Sequence, residues 1–146
     1  MKLNEMIAAQ SGVPAGFEGR RMKWDEVKEA FVIEKAAVLS RKQYTEDGEV
    51  LVYSQGARQG QPIMDRQLVL QLRTADDRRI LVRTNSQRLV PLFSGNLDRP
   101  ADGKNRFGDD YHIVDAPEGM MHFVNYKYEY KNGQIGNVAD LEEVEE

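Results

Sequence analysis

RQLVLQLRTADDRRILVRT, residues 66–84, is the stretch on which the fold turns. Leu68, Leu70 and Leu72 alternate with Gln67, Val69, Gln71 and Arg73, the two-residue period of a strand with one face in a core. Ile80 and Val82 resume the alternation after the Asp-Asp step. A two-residue loop at Asp76 and Asp77 would set Arg73 opposite Ile80 and mix the faces. A three-residue loop, residues 75–77, instead pairs Leu72 with Ile80 and Leu70 with Val82. Asp77 then takes the left-handed position, which aspartate tolerates better than most residues. The other face shows Gln71, Arg73, Arg79, Leu81 and Arg83, with Arg73 and Arg79 opposed. Like charges so placed cost stability unless something anionic lies between them.

Upstream, FVIEKAAVLSRK (residues 31–42) is rich in β-branched and apolar residues and reads as a strand. The turn EDGE (46–49) and a second strand VLVYS (50–54) follow, then a polar loop, QGARQGQP (55–62). Residues 24–29, WDEVKE, suit a short helical turn, and residues 1–22 read as an arm with an amphipathic piece at 3–9 and breakers after it. Downstream, Asn85 or Ser86 can cap a short helix bearing Leu89, Leu92 and Phe93, stopped by Pro91 and Gly95. Residues 94–109 read as a long loop. YHIVD (111–115) is a strand, APEG (116–119) a turn, and the Asn132-Gly133 step predicts a type I′ hairpin pairing Tyr130 with Ile135. The expected fold is mainly β: a small barrel of five to six strands with a short helix, occupying residues 23–136, plus the N-terminal arm and a disordered acidic tail at 137–146.

Composition narrows the chemistry. The 146 residues include no cysteine, which removes disulfide scaffolds, thiolate-zinc sites, iron-sulfur clusters and thiol catalysis. No apolar run is long enough to span a bilayer, and the first residues lack the apolar core of a signal peptide, so a cytoplasmic location is expected. The net charge of -4 is unevenly placed. Five acids (Asp140, Glu142, Glu143, Glu145, Glu146) and no base fall in residues 137–146, and in residues 1–136 bases slightly outnumber acids. Residues 66–88 alone carry six arginines and two acids.

Arginine suits phosphate and planar partners because its fork of donors can be bidentate and its guanidinium can stack. Tyrosines interleave with the bases: Tyr44 follows Arg41 and Lys42, Tyr53 ends the second strand, and Tyr126, Tyr128 and Tyr130 alternate with Lys127 and Lys131. Basic grooves combined with aromatic platforms hold single strands with little sequence preference. A solvated charged face and a tyrosine-lined core are the plainer readings, and both stay open here. His112 and His122, near Asp109, Asp110 and Asp115, fit no zinc spacing, and no nucleotide-loop, nucleophile-elbow or dinucleotide fingerprint is present. No enzyme, metal or cofactor is expected.

Residues 31–93 resemble the OB-fold-type single-stranded DNA-binding proteins of bacteriophages and plasmids. The likeness rests on the strand FVIEKAAVLS, the strand QLVLQLRT, and the run from Arg79 to Ser86 leading into Leu89 to Phe93. The resemblance implies an OB-like barrel and non-sequence-specific binding of single-stranded DNA in replication or recombination. Strand-borne Arg73, Arg79 and Arg83 would line the groove with Lys35, Arg41, Lys42 and Tyr44, and we add Tyr53, Arg88, Tyr126 and Tyr128 as further contacts. It also implies an acidic tail that competes with DNA and recruits replication proteins. This tail ends EEVEE, without the terminal Phe of the bacterial version. Self-association is left open, and no membrane partner is expected. Two rivals remain: a structural β-barrel protein of a virus particle or other assembly, with no nucleic-acid binding, and a hydrolase using His112 and His122.

Overall fold

The computed structural model describes residues 12–86, 88–94 and 97–144. The amphipathic piece at 3–9, Gly95 and the last two glutamates lie outside them. The described chain is mainly β and forms one sheet of eight strands: β1 (Arg20–Arg21), β2 (Phe31–Lys42), β3 (Met64–Thr74), β4 (Arg79–Thr84), β5 (Gly103–Lys104), β6 (Asp110–Val114), β7 (Met120–Glu129) and β8 (Ile135–Glu143). A 3-10 turn (Trp24–Glu26) and one α-helix, α1 (Leu89–Ser94), complete it. The strand order is β1-β4-β3-β2-β6-β5, and β7 branches from β2 to carry β8. Strand β2 is the pivot: β3 runs along one edge, while Ala36 to Ser40 pair with β6 and Phe31 and Val32 with β7 on the other. The sheet curls into a half-barrel, and its strand count exceeds the expected five to six.

The β3–β4 hairpin has the register that face-matching demands. Leu72 faces Ile80, Leu70 faces Val82 and Arg73 faces Arg79, and Asp77 holds φ 61°. The Thr74 N–H donates to the Arg78 carbonyl at 2.9 Å and the Asp77 N–H to the Thr74 carbonyl at 3.0 Å, closing the three-residue loop. One face of β2, β3 and β4 supplies Phe31, Val38, Leu70 and Val82 to the main core, which Leu89 and Phe93 of α1 and Ala139 of β8 close.

The opposite face is not solvent-facing along its length. Ala37, Leu39, Val69 and Leu81 are fully buried there under Val13 and Phe17. The expectation of a half-buried β3 therefore fails at its centre: residues 68–72 are buried on both sides. Val69 and Leu81, apolar at polar-face positions, are the trace of this in the sequence. Residues 12–21, read from sequence as arm, lie on that face and end in β1, parallel to β4. A side chain at Gly19 (φ 139°) would stand 2.9 Å from the Arg79 carbonyl carbon, so this approach needs glycine.

Four other local expectations are corrected. The acidic stretch is strand through Glu143, not disordered tail, because Ala139 and Leu141 alternate with its acids and pack into the core opposite Asn125 and Phe123. The second hairpin pairs Tyr130 with Gln134 and Glu129 with Ile135, not Tyr130 with Ile135. Only Gly133 has positive φ in that loop, and the shift keeps Leu141 rather than Glu142 opposite Phe123. Residues 50–54 make no full strand: Tyr44 bridges Val50 and Val52 bridges Pro62, so residues 43–63 form a narrow excursion. Pro91 sits inside α1, in its first turn, where proline is tolerated because no intrahelical bond needs an N–H there. Ser86 Oγ accepts from the Arg88 and Leu89 N–H groups ahead of that turn and donates to the Ala139 carbonyl at 2.8 Å.

Candidate nucleic-acid interface

The anion between Arg73 and Arg79 belongs to the protein. The β2–β3 register slips between Ile33 and Lys35, so that Glu34, which follows core-facing Ile33, and Lys35, opposite Gln71, share the arginine face. Its carboxylate accepts from Arg79 Nε at 3.1 Å and Gln71 Nε2 at 3.2 Å and lies 3.6 Å from Arg73 Nε. Burial pushes the Glu34 carboxyl up, but the Gln71 and Arg79 hydrogen bonds and the two guanidinium charges outweigh it and hold the group below its ordinary range. Arg79 also pairs with Glu18 at 2.9 Å and Arg73 with Asp77 at 3.5 Å. Lys35 donates to the Gly16 carbonyl at 2.7 Å. Three of the arginine-face residues expected to contact DNA are thus engaged within the fold.

The other end of the face is different. Arg83 is half-buried and donates through Nε and Nη2 to Gln67 Oε1 at 3.2 and 2.6 Å. Burial lowers its pKa, repulsion from Arg21 and Arg41 adds to this, and Asp109 opposes it. Arginine nonetheless stays charged. Beside it opens a groove of about 360 Å³ lined by Arg41, Lys42, Tyr44, Arg83, Asn105, Phe107 and Asp109. Tyr44 and Phe107 are 55% and 67% exposed. Asn105 builds the turn that displays Phe107: buried itself, it accepts from the Phe107 and Asp109 N–H groups at 3.0 and 2.9 Å and donates to the Gly12 carbonyl at 3.2 Å. Gly108 at φ 83° completes the turn.

Of the eleven residues expected from sequence, the groove gathers Arg41, Lys42, Tyr44 and Arg83. Tyr53 lies in the 43–63 excursion and does not line it. Arg88 stacks 3.8 Å from the Tyr126 ring centre and pairs with Asp140 at 3.0 Å, a separate cluster on the β7–β8 hairpin. Tyr126, Tyr128 and Tyr130 lie on the opposite side of that hairpin from core-packed Phe123 and are exposed, so the buried-aromatic alternative does not hold for them. Phe107 escapes the sequence reading. The trace of Phe107 is an aromatic in a Gly, Asn and Asp-rich turn, where a core position is hard to reach.

The histidines stand apart from the groove. His112 Nε2 lies 2.9 Å from the Arg99 carbonyl, and His122 lies 3.4 Å from Glu142. Among the described residues, no three His, Asp or Glu side chains gather closely enough to hold a metal ion. No helix there is long and apolar enough to cross a membrane. No protein-family model, no curated protein and no solved structure matches the chain.

Proposed function

We propose that this protein binds single-stranded DNA without sequence preference and without catalysis, in the groove between Arg41, Lys42, Arg83, Tyr44 and Phe107. The observation that carries the reading is the convergence of three cationic side chains and two exposed rings on one open groove. Cations attract the phosphate backbone and release its counterions, while the rings stack on bases of any identity. A half-barrel whose strands bear the cations and whose 43–63 excursion and 105–109 turn bear the rings suits an OB-like barrel used this way. Replication or recombination is the setting we infer for such an activity. The acids of β8 are no part of the proposal as a competing tail, since residues 137–143 are held in the sheet.

Fluorescence anisotropy with labelled oligo-dT at two salt concentrations tests it. Binding at low salt that weakens steeply with added salt is expected, and Arg41→Gln with Lys42→Gln should flatten the dependence by roughly 0.7 for each phosphate that is no longer neutralised. No binding at low salt with micromolar protein overturns the proposal. A second reading, an assembly protein, draws on the exposed Tyr126, Tyr128, Tyr130 and Ile135 of the β7–β8 hairpin. Large DNA-independent assemblies on size exclusion would favour it.

A further inference from the structure

A second groove, of about 490 Å³, lies where α1, the turn at 115–119 and strands β7 and β8 meet. Leu92, Phe93, Ala116, Pro117, Met121 and Leu141 line it together with two exposed acids, Asp115 and Glu143. Leu92 is 72% exposed although it belongs to the only α-helix among the described residues. No basic side chain lines the groove, and neither Asp115 nor Glu143 makes an ion pair among the described residues. Their charge at the groove is therefore unanswered by any ion pair. An apolar slot with uncompensated acids at its edge selects a ligand of the complementary kind.

We propose that this groove docks a short segment of a partner protein in which apolar side chains alternate with lysine or arginine. The apolar side chains fill the slot beside Leu92 and Met121, where removal from water supplies the affinity. The basic side chains meet Asp115 and Glu143, which excludes acidic segments of equal hydrophobicity. A groove of this size takes only two or three side chains, so the contact is weak and reversible. It needs nothing from the oligonucleotide groove and stands whether or not that site binds DNA. It also places partner recognition on a built surface of the fold instead of in a disordered tail.

The test titrates the full-length, isotope-labelled protein with a synthetic leucine/lysine peptide up to about 1 mM, a range that captures weak complexes, and follows amide resonances. Saturable shifts clustered at Leu92, Met121 and Leu141 are expected, with no saturation for a leucine/glutamate or a serine/lysine peptide. Leu92→Asp separates docking from general attraction, because it adds an acid. Groove docking predicts binding weakened about fivefold or more, since an apolar wall of the slot is replaced by a charge. Equal or tighter binding would mean nonspecific attraction and would overturn the proposal. Glu143→Gln, at an exposed site, provides a second variant that should narrow the preference for lysine over glutamate; an unchanged preference counts against the proposal. Self-association that disappears in Leu92→Asp would assign the groove to a second copy of the chain and overturn it as well.

Discussion

Glu34→Gln keeps the shape of the side chain and removes the charge between Arg73 and Arg79. Glu34 is 22% exposed and the arginine side chains 46% and 48%, so the contacts at 3.1 and 3.6 Å act near the high-dielectric limit. At such separations Coulomb attraction is roughly 1 kcal/mol each in water, and side-chain entropy and salt reduce exposed pairs to about half of that. Removing the carboxylate also restores the repulsion of two opposed guanidinium groups, worth about 0.5 kcal/mol. The expected loss is about 1–2 kcal/mol, a fall in Tm of about 3–7 °C at this chain length. The pH dependence has a definite sign. A carboxyl whose folded pKa lies below its unfolded value contributes stability that is complete above the unfolded pKa and is lost as pH falls through the folded one. Glu34 is such a group. Thermal unfolding followed by circular dichroism should show the gap between wild type and variant in full at pH 7 and closing in acid. Equal melting at pH 7, or a gap that persists unchanged into acid, would refute the assignment of Glu34 as the internal counter-ion.

Four further outcomes are expected. Removing residues 137–146 takes buried Ala139 and core-packed Leu141 with them, so urea unfolding should show a loss of about 3 kcal/mol or more; a truncated chain as stable as the full one would return these residues to the status of a tail. Gly19→Ala forces a side chain against the β4 backbone at a φ of 139° and should cost about 2 kcal/mol by the same measurement. Asp77→Val should cost about 1–2 kcal/mol, whereas Asp77→Gly should be near neutral, because the position is left-handed. Phe107→Ala should weaken oligo-dT binding by about 1–3 kcal/mol in anisotropy titrations if the ring stacks on a base; its exposure leaves Tm within about 1–2 °C of wild type.

Much of the scaffold is legible along the chain. The bounds of β2 and the register of β3–β4 follow from apolar periodicity, because a one-residue slip would turn Leu70 and Leu72 away from the core. The same face-matching argument, applied to Phe123 and Leu141, selects the three-residue loop of β7–β8 over the type I′ turn that Asn132-Gly133 suggests by itself. The acids of β8 suggest a tail only while charge is counted without the alternation of Ala139 and Leu141 between them. For the candidate site, Arg41, Lys42 and Tyr44 group by adjacency alone. Arg83 and Phe107 join them through strand pairing and a turn built on Asn105, across separations of tens of residues.

Composition and local period are enough to establish a cysteine-free, mainly β chain, the register of its central hairpin, and the opposition of Arg73 and Arg79. They also show that an anion between those two arginines would relieve a repulsion, without saying whose. The folded chain supplies the rest: Glu34, at a bulge in β2, is that anion, residues 12–19 cover the middle of the arginine face, and the open cationic groove lies at its Arg83 end. Like-charge repulsion states a need that any strand pattern can reveal. Which group meets it depends on how β2 pairs with β3 and on long-range packing, and no local pattern encodes those.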